Sequence, residues 1–111
     1  MAKTLLLAWS TPVSEEAVDE FHRWYEETHV PELRAAVPSI TAANRYRLRP
    51  IGPGPAAPAA GRFLCVYEID EADAEAVAGA LFGAIGDGRI SQGQLMDMTG
   101  NPPALEWYEH L

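Results

Sequence analysis

The chain alternates between short runs that are apolar throughout and longer stretches in which apolar and charged residues interleave at helical spacing. "KTLLLAWS" is the first short run, and with the breaker "STP" behind it, it predicts a strand buried on both faces. Ser14 stands where a helix cap is needed, and Glu15, Glu16, Asp19 and Glu20 fill the next two turns, where the helix dipole favours negative charge. The residue before a proline avoids helical geometry, so Pro31 limits this helix to about Glu15 to His29, with a short further turn from Pro31 to Ala36. At about 100° per residue, Ala17, Phe21, Trp24, Tyr25 and Thr28 share one side, and Glu16, Glu20, Arg23 and Glu27 share the other.

Alternation returns in "SITAANRYRLRP", a second strand, and "RFLCVYEI" gives a third. Between them residues 50–61, "PIGPGPAAPAAG", form no regular element and read as a long hairpin loop, either a tolerated insertion or a substrate lid. Asp70 is a cap for the next helix, in which Ala74, Val77, Ala78, Leu81 and Ile85 make one apolar stripe and Gly86 offers a stop. The tail predicts a short helix around Gly93 to Met98, a turn at "GNPP" and a last strand from Ala104 to Tyr108.

This order, β-α-β-β-α-β, predicts an α+β fold: a ferredoxin-like sandwich with a four-stranded antiparallel sheet and both helices on one face. Strands one and three are apolar on both sides, so the sheet face turned away from the helices needs a cover. A second copy packed sheet against sheet is the simplest cover, and a homodimer is expected.

Composition narrows the function classes. At 111 residues the chain is expected to be one domain, and 48% hydrophobic content suits a packed core. A net charge of −8 argues against nucleic acid as a partner. Arg45, Arg47 and Arg49 recur at every second position, which fits an exposed strand face balancing nearby carboxylates or, alternatively, a site for an anionic ligand. The single cysteine, Cys65, lies in an apolar run with no basic neighbour and reads as an inert buried thiol. The apolar start is too short for a signal peptide and no run is long enough to cross a bilayer, so no membrane association and a cytoplasmic location are expected.

Four stretches carry a family resemblance: "FHRWYEETHVPEL", "VPSITAANRYRL", "FLCVYEID" and the closing "EWYEHL". They resemble the tryptophan-tyrosine, histidine and proline signature and the second, third and last strands of EthD-like members of the dimeric α+β barrel superfamily. These are small proteins similar to those encoded with ethyl tert-butyl ether degradation. The resemblance implies a dimeric α+β barrel without cofactor. Its relatives include cofactor-free monooxygenases, polyketide cyclases, lactone isomerases and proteins with no assigned activity. It also implies a small-molecule pocket between sheet and helices, lined here by Leu5, Leu7 and Trp9 of the first strand, Phe21, Trp24 and Tyr25 of the helix, and Phe63, Cys65 and Tyr67 of the third strand.

His29 is the candidate for chemistry. It lies four positions after Tyr25 at the border of the apolar helix side, and an imidazole in an apolar pocket is a neutral base near physiological pH. A structural role at the helix C-terminus competes with this reading. His22, Glu26 and His29 recur at metal-ligand spacing but offer no fourth ligand, and no metal is expected. The expectation is therefore a cofactor-independent enzyme for a small hydrophobic or aromatic metabolite, with His29 and Tyr25 as the catalytic pair. A cyclisation, isomerisation or dehydration is set against a cofactor-free oxygenation and a non-catalytic binding module.

Overall fold

The computed structural model describes residues 1–91 and 93–111. Strands β1 (Thr4–Ser10), β2 (Ile40–Arg47), β3 (Phe63–Ile69) and β4 (Ala104–Glu109) form one antiparallel sheet in the order β2-β3-β1-β4. Helices α1 (Val18–Trp24), α2 (Val30–Ala36) and α3 (Ala74–Gly86) cover one face of that sheet. This is the expected ferredoxin-like α+β arrangement, and no helix among the described residues is long and apolar enough to cross a membrane.

Element boundaries depart from the sequence reading where local hydrogen bonds compete. The first helix begins at Val18 and not at Glu15, because the Ala17 N–H donates to both the carbonyl and the hydroxyl oxygen of Ser14 and closes a separate turn ahead of it. Asp73, not Asp70, caps α3: its Oδ1 accepts from the Ala76 N–H at 3.0 Å. Asp70 is still held at the end of β3, where its N–H donates to the Ser39 carbonyl and its carboxylate pairs with Lys3. No helix forms around Gly93 to Met98. Val13 and Asp97 instead exchange backbone hydrogen bonds with Leu95 and Thr11, and Pro12 bridges Met96, which lays this segment alongside the exit of β1.

The strands set which side chains meet the helices. Along β1, Thr4, Leu6, Ala8 and Ser10 are buried beneath them and along β3 Phe63, Cys65, Tyr67 and Ile69 are, as the pairing of Leu6 with Tyr67 and Ala8 with Cys65 requires. Strand β2 carries a bulge between Ile40 and Ala42. The surplus residue reverses the facing after it, so Ile40 enters the core and then Ala43, Arg45 and Arg47 pair opposite Tyr67, Cys65 and Phe63 on the helix side. The arginine series is therefore no simple exposed face. The side chain of Arg45 is only 15% exposed.

The core is one cluster built from Leu6, Phe21, Tyr25, Leu33, Phe63, Tyr67, Val77 and Leu81 with their neighbours. The α3 stripe behaves as expected, with Val77 and Leu81 buried and Gly79 and Gly83 on the exposed side. On the uncovered sheet face, Leu5, Leu7, Trp9, Leu64 and Val66 are half-buried and Tyr108 is exposed.

Candidate functional site

The site starts from an irregularity in the helix. Between α1 and α2 the backbone runs on without a break through a π turn, Tyr25–His29, in which the Val30 N–H donates to the Tyr25 carbonyl five residues back. A proline has no N–H to give and its ring crowds the carbonyl four residues before it, so the widened turn ahead of Pro31 carries the helix past a residue that would otherwise end it. Extra width in one turn shifts every later side chain around the axis. His29 thereby comes to stack on Trp24, with ring centroids 4.6 Å apart at 27°, and meets Tyr25 edge-on at 4.8 Å. Gly93 holds Trp24 in turn, since a Cβ there would lie 2.5 Å from the indole Cζ2.

His29 opens into a cavity of about 330 Å³ between the sheet and the helices. Its walls are Leu6 and Ala8 of β1, Leu33 of α2, Leu81 and Ile85 of α3, and Ile90, Met96 and Met98 of the segment after α3. Among the described lining residues His29 alone titrates. Burial is the chief reason its pKa is pushed down to about 4, with the nearby Glu32 carboxylate opposing and the Arg45 charge adding to the fall. The ring is thus neutral at physiological pH, and its buried Nδ1 has no hydrogen-bond partner. Glu32 accepts from the Ser91 N–H at 3.0 Å and from the Ser91 hydroxyl at 2.7 Å, which holds its carboxyl below the usual range and ties α2 to the chain beyond α3.

The other expected site residues form a packed layer beside this cavity. Tyr25 is 2% exposed. Its hydroxyl neighbours those of Ser10 and Tyr67, and burial raises its pKa well above the ordinary phenol value. It touches His29 through its ring edge and not by a hydrogen bond. Phe21 packs on Tyr25 at 5.5 Å and on Phe63 at 5.8 Å. The Cys65 thiol is pushed up to about 11 by burial, and Tyr67 is raised further for the same reason. Arg45 lies over the Tyr25 ring at 4.4 Å, a cation–π contact on the side of α1 facing β2.

Three expected lining residues, Leu5, Leu7 and Trp9, lie on the opposite face of the sheet. The correction is a one-residue slip in β1, whose two apolar faces give the hydrophobic pattern no means of choosing. The polar ends choose instead: Thr4 is buried on the helix side with its hydroxyl donating to the Glu71 carbonyl at 2.6 Å. The cavity residues missed from sequence fall into two groups. Leu81 and Ile85 were visible as a core stripe without a hint of a void beneath them, and Met96 and Met98 sit in a segment whose backbone pattern has no periodicity. His22 and His29 line different cavities, and among the described residues no group of three or more His, Cys, Asp or Glu side chains stands close enough to hold a metal ion.

No family model and no curated protein matches the chain. Solved structures do share its fold. An ethyl tert-butyl ether degradation (EthD) family protein from Bacillus halodurans C-125 is similar over 100% of both chains, with a TM-score of 0.56 and 20% identity. An EthD-like protein from Ralstonia eutropha JMP134 matches 98% of this chain and 93% of its own, with a TM-score of 0.52 and 19% identity. HapK from Hahella chejuensis matches 97% and 92%, with a TM-score of 0.55 and 13% identity. The resemblance read from the four sequence stretches is thus borne out at the level of the fold, which the chain shares with solved EthD-family proteins.

Proposed function

We propose that this protein is a cofactor-independent enzyme that binds a small apolar or aromatic metabolite in the His29 cavity and acts on it by proton transfer. The observation that carries this reading is a neutral imidazole in the wall of an otherwise apolar void of metabolite size. A neutral imidazole keeps one lone pair free, and next to a carbon acid such as the position beside a carbonyl it accepts the proton. Glu32, close enough to oppose the fall in the His29 pKa, stabilises the imidazolium that results. Return of the proton at another carbon or to a leaving hydroxyl gives isomerisation, cyclisation or dehydration. If dioxygen captures the carbanion instead, the same base serves a cofactor-free oxygenation, and oxygen uptake during turnover separates the two.

Trp24 and Tyr25 act as positioning residues, one holding the imidazole by its face and the other by its edge. The pathway test is metabolite capture by mass spectrometry, comparing the protein with an Ile85→Trp variant that fills the cavity. The captured compound is then turned over by the wild type, and His29→Gln lowers kcat by about 10²–10⁴-fold. Undiminished turnover in His29→Gln overturns the assignment. A second reading has its own support: a single titratable group in the cavity wall also suits a module that binds or carries a hydrophobic metabolite. Saturable binding without product, in air and without it, is its signature.

We further propose that the working unit is a homodimer formed across the uncovered sheet face. Leu5, Leu7, Trp9, Leu64 and Val66 give that face an apolar centre that a second copy would remove from water.

A further inference from the structure

A second concavity, about 270 Å³, lies between α1 and the β2 edge of the sheet, lined by His22, Glu26, Arg45, Tyr46, Arg47 and Phe63. Two of its lining groups, Arg45 and Arg47, are guanidinium donors. Arg45 donates through NH2 to the His22 Nδ1 at 3.0 Å. A guanidinium has no lone pair to offer, so His22 Nδ1 is the acceptor and the ring proton is on Nε2. That Nε2 is buried and has no hydrogen-bond partner. Burial first, and then the charges of Arg45 and Arg47, lower the His22 pKa against the opposing pull of Glu26 and Asp19.

The charge balance points the same way. Arg45 meets one carboxylate, Glu26, at 3.5 Å, and that side chain is 68% exposed. Arg47 lies over the Phe63 ring at 5.6 Å and makes no ion pair among the described residues. Two guanidinium groups therefore line the hollow against one lining carboxylate, the solvated Glu26, which makes it locally positive on a chain whose net charge is −8. Arg45 braces Tyr25, whereas Arg47 makes only its cation–π contact with Phe63 and has no carboxylate partner among the described residues. We infer that this cleft is a binding site for one anionic group, the carboxylate or phosphate of a small molecule, which the guanidinium forks of Arg45 and Arg47 receive.

The test is an NMR titration of the full chain at constant ionic strength, following the His22 imidazole and the arginine side-chain resonances. Inorganic phosphate and benzoate are the anionic probes and benzamide is the uncharged control. The expected result is a saturable shift at His22 with at least one anion and none with benzamide, the stronger anion identifying the head group. Arg47→Gln, on an exposed side chain and so not expected to unfold the protein, weakens that binding by about fivefold or more, and Arg47→Lys by less. No saturable shift with either anion, equal affinity in Arg47→Gln, or a benzamide response matching benzoate overturns the proposal. The readout at His22 is separate from turnover at His29, so either reading can fail alone.

Discussion

At the scale of single residues the site depends on how far burial moves a proton equilibrium. His29 binds its proton at about pH 4 in the folded chain and near its ordinary 6.5 when unfolded. Between those values the unfolded state takes up the proton more readily. Stability is therefore full above pH 6.5 and falls as the pH drops to 4, by on the order of 2–3 kcal/mol from this group. Urea unfolding at pH 7, 5.5 and 4 should show a shallower decline in His29→Gln than in the wild type. The same shift sets the activity profile: kcat/KM should stay flat down to about pH 5 and fall near pH 4, where an unperturbed histidine would begin to fail near 6.5. Gly93→Ala offers a second measurement, because the added methyl must displace Trp24 and with it the face on which His29 rests. A loss of about 1–3 kcal/mol is expected, with a changed His29 titration by NMR. The histidine itself was legible from an imidazole at the edge of an apolar helix side. Its Trp24 partner was not, since residues five apart do not stack on a regular α-helix.

At the scale of elements, periodicity located every strand and every long helix, and the misplacements all trace to hydrogen bonds that periodicity does not encode. The α3 cap is an example: Asp70 and Asp73 are chemically alike, and only the point at which β3 releases the chain decides between them. Asp73→Ala should cost about 1 kcal/mol by thermal or chemical unfolding, whereas Asp70→Ala, which removes a surface pair with Lys3, should cost less than about 0.5 kcal/mol. The reversed facing of β2 has the same character. No hydrophobic pattern announces a bulge beside Ile40, yet it decides whether guanidinium groups or Tyr46 lie beneath the helices. Deleting Thr41, the surplus residue, should remove the bulge while leaving Ile40 and Arg45 on the helix side, so the Arg45 contact with Tyr25 should persist and the urea midpoint should fall only slightly.

At the scale of the whole molecule, the α+β order was legible because each strand and helix is strongly patterned, and the uncovered face was legible because two strands are apolar on both sides. The position of the void was not, because it arises from what the helices and the segment after α3 fail to fill together. Sedimentation should find a dimer that Val66→Glu converts to monomers, since Val66 sits centrally on the open face opposite Leu7. Two single-residue surpluses, the widened turn before Pro31 and the kink near Ile40, also bear on kinship. A homologue of equal length whose chain ran regularly through either point would keep the architecture while presenting a different group at the same point in space. Linear alignment would then pair histidine with histidine and arginine with arginine at places that are no longer equivalent, so functional equivalence within this fold has to be judged by superposition.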